Sequence, residues 1–124
     1  MNPVIYLDAD ALRQQLLWGR TVECLLFHGL ENGIAIIRFI TLQSNASGDS
    51  LEMRVWECED VGNHQYIDLY SFPESNPDED PPLSTFESVE DALEDARKLG
   101  GATDRFTARG GLQAVYQASL DSLP

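Results

Sequence analysis

The chain has 124 residues, of which 21 are acidic and 8 are lysine or arginine, so its formal net charge at pH 7 is −13. This length suits one domain, expected over residues 1–124, and 43% hydrophobic residues are enough for a core, which excludes disorder of the whole chain. The acidic excess argues against direct binding to nucleic acids or anionic membranes, because both need a basic surface that neutralises phosphates.

The N-terminal residues contain neither the basic nor the apolar segment of a secretion signal, and no run approaches the roughly 18 apolar residues of a membrane span. The only two cysteines are Cys24 and Cys58. A secreted domain that depends on disulfides usually carries more. We therefore expect a cytoplasmic protein.

The first elements predicted along the chain are a helix and two strands. Asp8 is typical of an N-cap, and apolar residues at helical spacing follow it. Strands are predicted over residues 21–28 and 34–42, joined by Asn32 and Gly33, a pair typical of a tight hairpin turn. The second strand is apolar on both faces, so we expect it to be central and covered on both sides.

Two further strands are predicted over residues 51–59 and 65–72, because apolar and polar residues alternate there. The short connections between the four strands favour an antiparallel meander. Prolines and acidic residues then dominate the chain, which predicts an extended acidic loop over residues 73–84.

Two helices are predicted at the C-terminal end. Ser88 is typical of an N-cap, and apolar residues at helical spacing continue from it to Leu99. A second amphipathic helix is predicted over residues 111–123. The fold class is therefore α+β, with a four-stranded antiparallel meander sheet and an N-terminal helix and two C-terminal helices packed mainly on one face.

The cysteines and histidines do not predict a zinc site or an enzyme. Cys24 and His28 lie four residues apart in a predicted strand, which separates them by roughly 13 Å and keeps both from reaching one ion. Cys58, Asp60 and His64 are the best group for nucleophilic catalysis, because a thiol, a carboxylate and an imidazole lie near one turn. However, the acidic neighbours of Cys58 raise a thiol pKa and lower its reactivity, so we expect a non-enzymatic protein.

The glycine pair Gly110 and Gly111 precedes a predicted helix and follows Arg105 and Arg109. These residues suit a small anion site at a helix N-terminus. Their spacing matches neither nucleotide-binding fingerprint. The alternative is that the glycines only connect two helices.

Aromatic residues cluster at Trp56, Tyr66, Tyr70 and Phe72, in the third and fourth predicted strands. Such a cluster is either part of the core or, where it is uncovered, a binding surface. The sequence alone leaves both interpretations open.

The negative charge is concentrated between residues 43 and 104, a segment that contains 16 acidic residues and 3 basic ones. Clustered like charge repels itself, and a cationic partner relieves that repulsion while it associates rapidly. We therefore expect a binding or regulatory protein of an inhibitor or immunity type. It would dock a basic partner, such as a toxin or a nucleic-acid-binding protein. One way to bind the latter is to mimic the charge of DNA. The predicted partner-binding residues are Glu57, Glu59, Asp60, Asp68, Asp78, Glu79, Asp80, Glu87, Glu90, Asp91 and Glu94.

Calcium binding is the alternative function, and no other cofactor is expected. The candidate ligands are Asp78, Glu79 and Asp80 in the acidic loop, and Asp49 and Glu52 in the segment before it. Calcium takes 6 to 8 oxygen ligands, and both segments are rich in oxygen. Neither segment matches the 12-residue EF-hand loop. A purely solubilising acidic surface is the ordinary interpretation of such a charge run, and it stays open beside these two.

Overall fold

The computed structural model describes residues 4–45, 47–63, 65–75, 78 and 80–120. These residues form an α+β fold with one antiparallel sheet, and the predicted fold class is confirmed at that level. The helices are α1 (Ala9–Leu17), α2 (Val89–Lys98) and α3 (Gly111–Leu120). The strands are β1 (Val22–Glu31), β2 (Ile34–Ser44), β3 (Leu51–Glu59), β4 (Leu83–Phe86) and β5 (Thr107–Ala108), in the sheet order β4-β3-β2-β1-β5.

The predicted hairpin between β1 and β2 is confirmed. Its turn residues, Asn32 and Gly33, have φ angles of +53° and +81°, the left-handed values that this turn requires. β2 pairs with β1 on one side and with β3 on the other, so it is the central strand. Ile37 and Ile40, which point to its two faces, are both fully buried, so both faces are covered as predicted.

The predicted fourth strand over residues 65–72 is wrong. The side chain of Asn63 accepts hydrogen bonds from two following backbone N–H groups, at 2.8 and 3.2 Å, which turns the chain. Leu69–Ser71 then form a single 3-10 turn. Leu69 and Phe72 are buried, and their spacing of three residues fits this turn, whereas a strand buries every second residue.

The sheet has five strands in the described residues, whereas four were predicted. Its fourth strand, β4, begins at Leu83, inside the loop predicted over residues 73–84. The fifth, β5, pairs with Val22 and Glu23 at the start of β1. Such a two-residue strand has too little hydrophobic pattern to be read from the sequence.

The prediction that the helices pack mainly on one face of the sheet is wrong. Side chains of α1 and α2 pack with Ile40 and Leu42 of β2, whereas α3 packs with Ile37 and Phe39. Because successive strand residues point to opposite faces, the two clusters lie on opposite sides of the sheet. β2 is apolar on both faces, and each face needs an apolar cover, so the helices divide between them.

The predicted N-caps are confirmed. The Asp8 carboxylate accepts a hydrogen bond from the N–H of Ala11 (2.7 Å), and the Ser88 hydroxyl accepts one from the N–H of Asp91 (3.1 Å). The predicted end of the last helix, at residue 123, lies outside the described residues. None of the helices in the described part of the chain is long and apolar enough to cross a membrane.

Candidate functional site

The acidic residues predicted to bind a partner fall into separate groups. Glu57 lies with Glu74 and Asp80 around one groove. Asp60 points inward, with only 11% of its side chain exposed. Glu79 lies outside the described residues. The other predicted residues are exposed: Glu59, Asp68, Asp78, Glu87, Glu90, Asp91 and Glu94.

The groove lies at the edge of β3, beyond the four residues of β3 that pair with β4. Its volume is about 240 Å³, and its wall contains the carboxylates of Glu57, Glu74 and Asp80. Arg38, Trp56, Val55, Pro81 and Pro82 complete the lining. We call this cavity the acidic groove.

Backbone hydrogen bonds fix the proline-rich chain against β3 on both sides of the acidic groove. They join the Glu59 N–H to the Pro73 carbonyl (2.9 Å), the Ser75 N–H to the Glu57 carbonyl (3.1 Å) and the Val55 N–H to the Pro82 carbonyl (3.1 Å). Glu74 and Asp80 therefore lie in loop segments that are hydrogen-bonded to the sheet, and Glu57 lies in β3 itself.

Arg38 is the basic residue that lines the acidic groove, and its charge is already paired. Its guanidinium donates to Glu57 Oε1 (Nη2 at 2.6 Å and Nε at 3.2 Å) and to Glu31 Oε2 (3.1 Å). Hydrogen bonding to Glu57 raises the pKa of Arg38 above its ordinary value, so the guanidinium stays charged. Within the described residues, neither Glu74 nor Asp80 forms an ion pair. The groove therefore keeps an excess of negative charge.

The carboxylates on α2 are partly neutralised by nearby arginines. Glu90 forms an ion pair with Arg13 of α1, and Glu94 forms one with Arg97 in the next turn. A hydrogen bond from its own backbone N–H and one from Arg13 lower the pKa of Glu90. Arg97 lowers the pKa of Glu94. The α2 surface therefore offers less uncompensated charge than its composition suggests.

Asp60 does not belong to the exposed acidic surface. Its carboxylate accepts hydrogen bonds from His28 Nε2 (2.7 Å), the Tyr116 hydroxyl (2.5 Å) and the Gly62 N–H (3.2 Å). Burial raises the pKa of Asp60, but these hydrogen bonds outweigh burial and lower the pKa below its ordinary value. The imidazole beside Asp60 is thus that of His28, whereas the predicted partner, His64, lies outside the described residues.

His28 is almost fully buried, with 3% of its side chain exposed, and both of its ring nitrogens have hydrogen-bond partners. Nδ1 lies 2.6 Å from the Ser119 hydroxyl oxygen, and Nε2 lies 2.7 Å from Asp60 Oδ2. The Ser119 hydroxyl also donates to the carbonyl of Tyr116 (2.7 Å). This chain of hydrogen bonds links β1 to α3.

A hydroxyl, an imidazole and a carboxylate, the groups of a catalytic triad, come together at Ser119, His28 and Asp60. Their geometry does not suit nucleophilic attack. Ser119 lies in the last turn of α3, where the negative end of the helix dipole disfavours an oxyanion. Burial and the neighbouring carboxylates, Asp60 foremost, raise the pKa of Cys58 to about 11. That thiol is therefore protonated at neutral pH and is a poor nucleophile. The hydrogen bonds of His28 to Asp60 and Ser119 connect β1 to the segment after β3 and to α3.

The candidate calcium ligands do not form a cluster in the described residues. Asp49 and Glu52 line two different cavities. No three His, Cys, Asp or Glu side chains of the described residues lie close enough together to hold a metal ion. Asp78 and Asp80 are exposed, and Glu79 lies outside the described part of the chain. No observation favours calcium over the basic partner.

Glu23 is a buried carboxylate that the sequence analysis missed. It is fully buried in β1, and its Oε1 accepts from the N–H groups of Gly110 (2.8 Å) and Leu112 (3.3 Å). Its Oε2 accepts from the Tyr70 hydroxyl. The predicted anion site before α3 is therefore filled by a side chain of the protein itself. A glutamate within an apolar strand was the signal that could have revealed it.

The aromatic cluster predicted as either core or surface is divided between the two. Phe72 is buried, whereas Tyr66 and Tyr70 are 40% and 47% exposed. Trp56 is half-buried, and its indole N–H donates to the Thr41 hydroxyl (2.9 Å).

Comparison with known proteins identifies no relative: no protein-family model matches the chain, and no curated protein or solved structure is significantly similar to it.

Proposed function

We propose that this protein is a non-enzymatic binding protein that docks a basic protein partner, such as a toxin or a nucleic-acid-binding protein, through the acidic groove. The observation that carries the proposal is the convergence of Glu57, Glu74 and Asp80 on one cavity whose arginine is already paired. Glu74 and Asp80 form no ion pair in the described residues, so their carboxylates at the edge of the sheet can attract a lysine or arginine side chain.

The lining of the acidic groove also suits the shape of such a side chain. Lysine and arginine carry an apolar stem below a charged head, and they bury the stem along apolar surface. Val55, Trp56 and Pro82 offer that apolar surface beside the carboxylates. The exposed carboxylates nearby, such as Glu59 and Asp78, extend the negative field that attracts the partner before contact.

The test uses a fluorescently labelled tetra-arginine peptide as the probe, with tetra-glutamine as the neutral control. The variant Glu74→Gln/Asp80→Asn removes two charges from the groove and leaves the Arg38–Glu57 pair intact. The matched control, Glu87→Gln/Asp91→Asn, removes two exposed charges around the start of α2. We expect the groove variant to weaken binding about tenfold, which is about 1.4 kcal/mol, and the control to weaken it much less.

Rising salt should also weaken binding of the peptide to the wild-type protein, because exposed charges are screened beyond the Debye length. Equal losses in the two double variants would mean that the peptide senses only net charge, and that outcome would refute the groove as the docking site. Unchanged binding by the groove variant would refute it as well.

A further inference from the structure

A second groove lies on the face of the sheet that α3 covers only in part. Its floor carries Thr41 and Gln43 of β2, and Arg54 and Trp56 of β3. Thr41 and Arg54 face each other in the register of the two strands. Tyr70 and Arg109 form its wall, and its volume is about 200 Å³. We call it the arginine groove.

The wall of the arginine groove is held by the buried Glu23 network. Glu23 accepts from the Tyr70 hydroxyl and from the N–H of Gly110, the residue next to Arg109. Trp56 is fixed by its bond to Thr41 and by its ring contact with Tyr70, at 6.1 Å between centroids. The groove is therefore preorganised, which reduces the entropy cost of binding a ligand.

The polar groups that remain for a ligand are mainly donors. The Gln43 side-chain oxygen accepts from the Thr21 hydroxyl (2.8 Å), which leaves its amide NH₂ group. The Thr41 oxygen accepts the indole N–H, so this hydroxyl has its own hydrogen to donate. Arg54 and Arg109 are donors only. A donor-rich groove selects a ligand that is rich in acceptors.

The two arginines of the groove form no ion pair within the described residues. Arg13, Arg38 and Arg97 all form ion pairs, whereas in the described part of the chain neither Arg54 nor Arg109 has a carboxylate within ion-pair distance. Glu52 also lines the groove, across from Gln43, but it pairs with neither arginine in that part of the chain. Arg20 and Arg105 form no ion pair in the described residues either, but Arg54 and Arg109 line the same cavity.

From these contacts we propose that the arginine groove binds a small molecule carrying an oxyanion, a phosphate or a carboxylate group. Arg54 and Arg109 bind the oxyanion with their planar donor forks, which match phosphate and carboxylate geometry. Thr41 and Gln43 donate to its remaining oxygens, and the Trp56 ring contacts the rest of the ligand. The two grooves share Trp56, but the arginines of one and the unpaired carboxylates of the other are different residues, so separate variants test the two proposals.

The test is a titration of the ¹⁵N-labelled protein with inorganic phosphate and, separately, with acetate, followed by NMR. Chloride at matched ionic strength is the salt control. The Trp56 indole N–H reports on the groove, and the exposed Trp18 indole serves as the internal control. We expect a saturable shift at Trp56 with a Kd below about 10 mM, the range of weak specific binding. A response to phosphate alone, to acetate alone or to both assigns the oxyanion class.

The variants Arg54→Gln and Arg109→Gln should each weaken this binding about tenfold or more, about 1.4 kcal/mol. Arg54→Lys and Arg109→Lys should weaken it less, because lysine keeps the charge but loses the planar fork. Arg20→Gln is the matched control, since Arg20 lies over the Trp18 ring, outside the groove. The proposal is overturned by an equal response to chloride, by no saturable shift at Trp56, or by the same affinity in the Gln variants and the wild type.

Discussion

Glu23 supports a sharp prediction, because its carboxylate satisfies donors from two other parts of the chain. In Glu23→Ala, the N–H groups of Gly110 and Leu112 lose their acceptor inside the protein. An unsatisfied buried donor costs about 1–3 kcal/mol. The Leu112 N–H is buried, whereas Gly110 is exposed and its N–H can turn to water, so we expect the free energy of unfolding to fall by about 2 kcal/mol. The half-exposed Tyr70 hydroxyl can turn to water and adds little.

Glu23→Gln separates the hydrogen bonds from the charge. Glutamine keeps the volume and one oxygen for both amides, and its NH₂ group can donate to the Tyr70 hydroxyl. The variant loses mainly the attraction between a negative charge and the N-terminus of α3, about 1 kcal/mol. The order of stability should therefore be wild type, Glu23→Gln and then Glu23→Ala.

The assay is equilibrium unfolding in urea, followed by tryptophan fluorescence and extrapolated linearly to water. Glu59→Ala, at an exposed position at the end of β3, is the control and should change stability by no more than about 0.5 kcal/mol. A loss of about 1 kcal/mol or less in Glu23→Ala would refute the assigned hydrogen bonds. Equal losses in the alanine and glutamine variants would show that charge dominates.

Two further predictions concern Asp60 and the cysteines. Because the folded state lowers the pKa of Asp60, its stabilisation is complete above its unfolded pKa of about 4 and is lost as the pH falls through the folded value. Asp60→Asn should therefore flatten the acid side of the stability profile, and exposed Asp68→Asn should not; matching profiles would contradict this. Cys24 and Cys58 are buried, and burial raises the pKa of both thiols. Iodoacetamide should therefore modify them slowly in the native protein and rapidly in urea, which mass spectrometry can measure. Rapid modification of the native protein would contradict this prediction.

Local patterns predicted much of the secondary structure correctly. Asp8 and Ser88 begin helices because a side-chain oxygen can cap the first turn wherever the chain is placed. Asn32 and Gly33 form the hairpin turn because they tolerate left-handed backbone angles. The apolar pattern of β2 required a central, doubly covered strand, since both of its faces exclude water.

The same patterns gave a wrong prediction where a short segment is compatible with two conformations. The alternation in residues 65–72 is compatible with a strand, but Leu69 and Phe72 pack together against α3 from a 3-10 turn. Only the tertiary contact selects between these conformations, because a short apolar run has no strong preference of its own. The division of helices between the two faces was likewise decided by packing on β2.

The sequence by itself determined the fold class, the central strand and the segment that carries the negative charge, because these follow from composition and local periodicity. The tertiary structure alone decided which charged groups act together. It turned Asp60 inward to His28, placed Glu23 beneath α3, grouped Glu57 with Glu74 and Asp80, and left Arg54 and Arg109 on one cavity. Electrostatic interactions depend on distance and burial in space, and residues far apart in the chain acquire both only when it folds.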